Sequence, residues 1–289
     1  MLLDGKSAIV TGSSRGLGRA YAMLMAKEGA NVVVNGTVPA DVARVVDEIK
    51  AAGGKAISCI ESVTTMAGGQ RIIQSALDAF GHLDILVNNA GVLRDRTFLN
   101  MSEDDWDTVV AVHLKGHFAC TKAAAQVMSQ QGSGHIINIT SRSAWKPPIG
   151  QSNYAAVKAG IIGFTIALSQ ELARYNITVN TIWPTGLTRM NIPVVERRLQ
   201  VGREEALKKN LPAPTALDLG YGEPEMVAPL IVFLASDEAK DITGKIFRLG
   251  GEELAVYSRN VELASGTMRG GWTVEELRKR FKVTFRKAL

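Results

Sequence analysis

Cysteine is scarce. Cys59 and Cys120 are the only two in 289 residues, which is neither the number nor the spacing of a disulfide framework or a zinc site. Both are expected to be core residues in a reducing compartment. No uninterrupted apolar run is long enough to span a bilayer, and the opening MLLDGKSAIV enters a strand without the layout of a signal peptide. A soluble, cytoplasmic protein with no membrane partner is expected. Of the four histidines, His113 and His117 stand at i and i+4, the spacing of a metal pair, but no acidic or third ligand accompanies them, so no metal is expected. The net charge of +5 suits an anionic ligand such as the phosphates of a nucleotide or of coenzyme A. No nucleic-acid motif accompanies it, and no nucleic-acid partner is expected.

What is present reads as one large α/β domain: 46% of the residues are hydrophobic and 21% charged, enough to bury a substantial core. Ser7 to Val10 is a short apolar strand. It runs into Thr11-Gly12-Ser13-Ser14-Arg15-Gly16-Leu17-Gly18 and then a helix from Arg19 to Glu28. Strand, glycine turn and helix form the context of a dinucleotide site. Gly12 permits the tight turn, Gly16 lets backbone approach a pyrophosphate, and Gly18 lets the helix pack closely on the strand. Ser14, Arg15 and Leu17 are assigned to the cofactor with these glycines. Taken alone, the turn is equally compatible with an ordinary strand-to-helix loop.

The second strand, Asn31 to Asn35, ends in Asn35-Gly36-Thr37, with no carboxylate to hold the adenosine ribose of NAD. Arg15 and Thr37 are suited to a ribose phosphate, which favours NADP over NAD. A helix from Asp41 to Ala52, a strand from Ala56 to Ile60, a helix from Gln70 to Phe80 and a strand from Ile85 to Val87 continue the alternation. Asn88-Asn89-Ala90-Gly91 then turns the chain where ligands bind, beyond the carboxyl ends of the strands. Asn89, Ala90 and Gly91 are therefore placed beside the cofactor.

His135 to Thr140 reads as a buried strand, followed by Ser141, a loop at Lys146 to Gly150, and a helix from Asn153 to about Gly163. On that helix Tyr154 and Lys158 lie four residues apart and share a face. An ammonium there favours the phenolate of a group that titrates near pH ~10 when free, which makes Tyr154 a general acid/base. The Ser141 hydroxyl is placed to polarise a carbonyl. Tyr-x-x-x-Lys alone is common, and its weight comes from the loops that precede it.

Four pieces agree in order and spacing with the short-chain dehydrogenase/reductase family: Thr11 to Gly18, Asn88 to Gly91, Ser141 thirteen residues before the tyrosine, and Tyr154-x-x-x-Lys158. The resemblance covers about residues 4 to 251. It implies a Rossmann-type doubly wound parallel sheet in three α/β/α layers and an NAD(P)-dependent oxidoreductase. It also implies Tyr154 as acid/base, Lys158 on the nicotinamide ribose, and Ser141 on the substrate carbonyl. Pro184 and Thr188, in Pro184-Thr185-Gly186-Leu187-Thr188, look like the segment that meets the nicotinamide end. His113 replaces the asparagine that most relatives use in a proton relay, and the resemblance assigns it that role. Ser62 replaces an aspartate near the adenine.

Gly91 to Phe98, Asp105-Trp106-Asp107, Val112 to Gly116 and Gly150 to Tyr154 resemble a narrower group. It comprises the (3R)-hydroxyacyl-CoA dehydrogenase domain of peroxisomal multifunctional enzyme type 2 and its stand-alone bacterial relatives, which share the histidine. That implies interconversion of a (3R)-hydroxyacyl thioester and its 3-oxo form, with Arg94 and Arg96 available to coenzyme A phosphates. The alternatives are a hydroxysteroid or other secondary-alcohol dehydrogenase and, remotely, a nucleotide-sensing protein without turnover. A homodimer or homotetramer is also implied.

Residues 191–224, rich in proline and charge, read as a candidate substrate lid within a domain of residues 1–251. Residues 252–289 read as a helical extension. Thr273-Val274-Glu275-Glu276 resembles a capping box, and Leu277, Phe281 and Phe285 form an apolar stripe that needs a surface on the domain or on another subunit.

Overall fold

The computed structural model describes residues 1–188 and 191–257; the compact unit is Met1–Val256. One sheet of eight strands organises it: β1 (Ser7–Val10), β2 (Asn31–Gly36), β3 (Lys55–Ile60), β4 (Ile85–Asn88), β5 (Gly134–Ile139), β6 (Ile177–Pro184), β7 (Ile246–Gly250) and β8 (Glu253–Tyr257). Their order is β3-β2-β1-β4-β5-β6-β7-β8, and the ladders from β3 to β7 are all parallel.

The strands are apolar runs rather than alternations because both faces are covered. Ile9, Val33, Leu86 and Ile136 point into one core, while their neighbours Val10, Val34, Val87 and Ile137 point into the other. Helices α1 (Gly16–Lys27), α2 (Pro39–Ala51) and α8 (Pro224–Leu234) close the second core with Tyr21, Met25, Val45, Ile49 and Ile231. On the opposite face lie α3 (Met66–Phe80) and α5 (Gly116–Gln131), which contribute Ile72, Cys120 and Met128. Among the described residues the remaining α-helices are α4 (Glu103–Val109), α6 (Ser152–Glu171) and α7 (Ile192–Lys209). The expected doubly wound, three-layer α/β/α architecture is the one observed. No helix among the described residues is long and apolar enough to cross a membrane.

Strand order reverses between β1 and β4, so the loops that leave their carboxyl ends flank one crevice. Some boundaries differ from the expected ones for local reasons. Helix α3 begins at Met66 rather than Gln70, because Thr65 caps it by accepting from the Gly68 N–H at 2.9 Å. Helix α6 continues past Gly163 to Glu171, and Gly160, within it, faces Leu114 closely, at 3.3 Å from where its Cβ would stand. Residues 191–224 contain α7, and β8 follows β7 where the extension was expected to start. The capping box at Thr273 and the stripe of Leu277, Phe281 and Phe285 lie outside the described residues.

Candidate active site

The crevice begins as backbone. Gly12 and Gly16 adopt left-handed conformations, φ +62° and +54°, and a Cβ on Gly12 would stand 2.8 Å from Ala90 Cα. A Cβ on Gly18 would stand 2.5 Å from Asn89 Nδ2, which donates to the carbonyls of Thr11 (2.9 Å) and Gly12 (3.1 Å). Thr11 completes the joint: its hydroxyl accepts from the N–H groups of Asn89 (2.9 Å) and Ala90 (3.1 Å). The expected cofactor residues after β1 and β4 are thus hydrogen-bonded into one cradle.

At its floor α1 begins with no side-chain cap and no acidic residue in its first turn. Its amides are left facing the crevice, an arrangement suited to a phosphate group. Gly186 packs on Leu17, and Thr188 lies across from Gly16, so the Pro184 to Thr188 segment closes the same crevice from the β6 side. The donor set and the space that the glycines leave fit a dinucleotide.

At the outer end of the cradle, a Cβ on Gly36 would fall 2.9 Å from Val42 Cγ2 and 3.1 Å from Ser14 Oγ. The packing around Gly36 therefore leaves no room for a side chain at that position. Arg15 and Thr37 are exposed there, and Arg44 of α2 reaches the carbonyl of Ser14 at 3.2 Å. Ser62 bonds Thr64 within its own turn, at 3.0 Å between hydroxyls.

Tyr154, Lys158 and Ser141 converge beside this cradle. Lys158 is buried, donates from Nζ to the carbonyl of Ile139 at 2.7 Å, and lies 5.4 Å from the centre of the Tyr154 ring. Burial lowers its pKa to about 7. Tyr154 is hydrogen-bonded to Ser141, which lowers its pKa, but burial outweighs that bond and pushes the phenol up to about 12. The geometry that the i, i+4 spacing predicts is present.

His113 sits in one turn of π-helix, Val110–Lys115, between α4 and α5. Its ring meets the Tyr154 ring edge-on at 5.2 Å and 84°, and its Nε2 lies 2.9 Å from the carbonyl and 3.1 Å from the N–H of Val92. A Cβ on Gly91 would come within 2.7 Å of His113 Cε1. Burial, reinforced by Lys158, holds its pKa well below the usual histidine value, so the imidazole is neutral. His117, also buried, is lowered to about 3 for the same first reason. Among the described residues no three His, Cys, Asp or Glu side chains form a metal-binding group. Cys59 and Cys120 are buried free thiols, and burial raises Cys120 to about 12.

Three residues around the site escaped the sequence reading. Gln151 Nε2 donates to Asp95 at 2.9 Å, while its Oε1 accepts from Ser143 at 2.8 Å, and the Ser143 N–H donates to Ser141 Oγ at 3.2 Å. Asn153, fully buried, ties the start of α6 to the carbonyls of Arg94 (3.0 Å) and Asp105 (3.1 Å). The Gly150 to Tyr154 run included Gln151 and Asn153 only as a family likeness, and Ser143 lies outside it.

A family model described as short chain dehydrogenase matches residues 6–198. The chain belongs to that family. It is 38% identical to the hydroxyacyl-CoA dehydrogenase ChsB1 of Mycobacterium tuberculosis, over 89% of this chain and 80% of that protein. It is 36% identical to the 3-oxoacyl-[acyl-carrier-protein] reductase FabG of Thermotoga maritima, over 87% and 98%. With the peroxisomal multifunctional enzyme type 2 of Mus musculus the identity is 39%, over 93% of this chain but only 36% of that protein. The chain thus spans about a third of that longer relative, and 27% of the peroxisomal hydratase-dehydrogenase-epimerase of Neurospora crassa. A solved short chain dehydrogenase from Mycobacterium avium superposes with a TM-score of 0.85 at 37% identity, covering 100% and 97% of the two chains. The chain is an NAD(P)-dependent oxidoreductase of this family.

Proposed function

We propose that this enzyme interconverts a 3-oxoacyl thioester and the corresponding (3R)-hydroxyacyl thioester with NADP, Tyr154 acting as the acid/base. The convergence of Tyr154, Ser141 and a buried Lys158 beside a dinucleotide cradle carries the reading. The names of the relatives, which act on hydroxyacyl-CoA or 3-oxoacyl carrier-protein substrates, support the thioester class.

A bound nicotinamide coenzyme would supply or accept the hydride at the substrate carbon. Gly12, Ser14, Arg15, Gly16, Leu17 and Gly18 would hold its phosphates, with Asn89, Ala90, Gly91, Pro184 and Thr188 along the remainder. Arg15 and Thr37 would meet the ribose phosphate of NADP, and Arg44 adds a second guanidinium beside Ser14. In reduction, Ser141 orients the carbonyl and Tyr154 gives it the phenolic proton. A phenol pushed up to about 12 is in the form that this direction requires. Lys158 would bond the nicotinamide ribose and return the proton. His113, neutral and locked on Val92, positions the Tyr154 ring through its edge.

The test is oxidation of NADPH and NADH, side by side, with acetoacetyl-CoA. Rapid thioester-dependent oxidation with NADPH preferred is expected. Equal or faster use of NADH would overturn the coenzyme assignment, and binding of both coenzymes without thioester turnover would overturn the substrate class. Exposed Arg94 and Arg96 flank Asp95, whose carboxylate acts on Tyr154. Their replacement by alanine should raise the KM for a coenzyme A thioester more than for its short N-acetylcysteamine analogue, which lacks the phosphates.

A further inference from the structure

Gln151 stands at the N-cap of α6 and does not cap it, since its side chain makes no bond to the amides of the first turn. Short polar side chains are favoured at an N-cap because they accept from those amides, and this one is engaged elsewhere. It bridges two other segments. Its Nε2 donates to Asp95 Oδ2 at 2.9 Å, and its Oε1 accepts from the Ser143 hydroxyl at 2.8 Å. Gln151 and Ser143 keep only 9% and 8% of their surface exposed, so water competes little for the bond between them.

The chain of bonds has a direction. An ionised carboxylate only accepts, so Asp95 draws the Nε2 end of the Gln151 amide and leaves the carbonyl end for Ser143. The Ser143 hydroxyl must then donate. Its backbone N–H gives to Ser141 Oγ at 3.2 Å, within the 3-10 turn Arg142–Ala144 that follows Ser141. Ser141 thus accepts on one side, and its own hydrogen is left for Tyr154, to which it is hydrogen-bonded. Asp95 is held from both neighbours: the Arg94 carbonyl accepts from Asn153 Nδ2 at 3.0 Å, and the Arg96 N–H donates to the Gly150 carbonyl at 2.9 Å. Gln151 precedes Tyr154 by three residues, less than one helical turn, so the bridge sets the serine turn against the helix that carries the phenol.

We propose that Gln151, oriented by Asp95, is a positioning residue that acts through Ser143 to aim the Ser141 hydroxyl at the substrate carbonyl. This rests on the reading of Ser141 and Tyr154 as the groups that meet the carbonyl, and adds the device that holds them in register. Without the bridge the Ser143 N–H is no longer fixed on Ser141, whose hydroxyl then rotates. A misdirected donor lowers the rate of the chemical step more than it weakens binding.

The experiment measures kcat and KM for reduction of acetoacetyl-CoA and of 2-octanone by NADPH in the wild type, Gln151→Met, Ser141→Ala and the double variant, with slow variants followed in single turnover at enzyme excess. Methionine keeps the length of glutamine but makes neither of its strong bonds. Gln151→Met should lower kcat about tenfold and change KM for NADPH and for the ketone less than twofold. In the Ser141→Ala background the same substitution should have no further effect, since no hydroxyl remains to be aimed. Equal losses in both backgrounds would make Gln151 a general structural residue and overturn the inference, as would an unchanged kcat in Gln151→Met. Full turnover in Ser141→Ala would reject Ser141 itself, and a wild type that reduces neither ketone would reject the activity. Both results overturn the inference through the reading beneath it, and neither arises from a failure of Gln151 alone. If the Ser141→Ala rate falls below detection, Asp95→Asn and Asp95→Ala decide the case. Both remove the charge that acts on Tyr154, so the difference between them reports the bond to Gln151. Asparagine still offers an oxygen and should keep kcat at least threefold above that of Asp95→Ala, and equal rates in the two would overturn the orienting role.

Discussion

The coenzyme end and the catalytic end of the crevice are built on opposite principles. Around β1, β2 and β4 the crevice depends on side chains that are absent: Gly12, Gly18 and Gly36 each lie where a Cβ would meet another atom within 3 Å. Around β5 and α6 it depends on polar atoms placed in the core: Lys158 and Asn153 are almost wholly buried, as are Asn138 and Thr165, which bond each other at 3.0 Å. The first end is therefore sensitive to added volume, and the second to the loss of a proton or a partner. One should fail through shape and the other through chemistry, with the fold intact.

Tyr154→Phe tests the sharper half of that contrast. Turnover should fall by roughly 10²- to 10⁴-fold, the usual worth of a positioned acid/base, with coenzyme affinity and melting temperature nearly unchanged. Loss of both affinity and stability would erase the distinction. Lys158→Met should break turnover while changing stability in the opposite sense from most core substitutions. Between pH of about 7, where the folded lysine titrates, and 10.5, where the free one does, the unfolded chain holds a proton that the folded chain has released. Wild-type stability should therefore rise with pH across that window, by up to a few kcal/mol, and the cost of burying the charge is greatest at its acid end. Denaturant midpoints measured at intervals through the window should lose this slope in Lys158→Met. An unchanged slope would locate the effect elsewhere.

Gly18→Ala tests the coenzyme end. Its methyl would press on the Gly12 carbonyl and Asn89 Nδ2, so a loss of about 1–3 kcal/mol of stability is expected together with weaker coenzyme binding. Thermal denaturation and a coenzyme titration on the same sample check both. The smallest effect belongs to Arg15→Ala, which should weaken NADPH about tenfold and NADH less than twofold, the worth of one charge-assisted hydrogen bond. Equal weakening of the two would move the phosphate contact to Arg44, whose alanine variant then becomes the discriminating one.

The two ends also differed in how far they could be read from the sequence. The β1 loop was legible because glycine spacing is itself the signal, and the strands were legible because a parallel sheet covered on both faces leaves continuous apolar runs. Tyr154 and Lys158 were legible as a helical pair. Their titration was not, because it depends on burial that only the packed β5, β6 and α6 create. Nor was the close approach of Ser14 and Val42 to Gly36, which come from separate elements. The π-turn at His113 left no mark, since Val110–Lys115 is an unremarkable helical run. Asp95, Gln151 and Ser143 come from three segments and meet only in space.

Thr11 gives the crevice a thermodynamic character as well as a shape. One hydroxyl joins the loops after β1 and β4, and Asn89 ties them again from the other side. Walls that are already each other's hydrogen-bond partners have little conformational freedom left to surrender when a ligand arrives. More of the contact energy then appears as affinity, because less is consumed in ordering the loops.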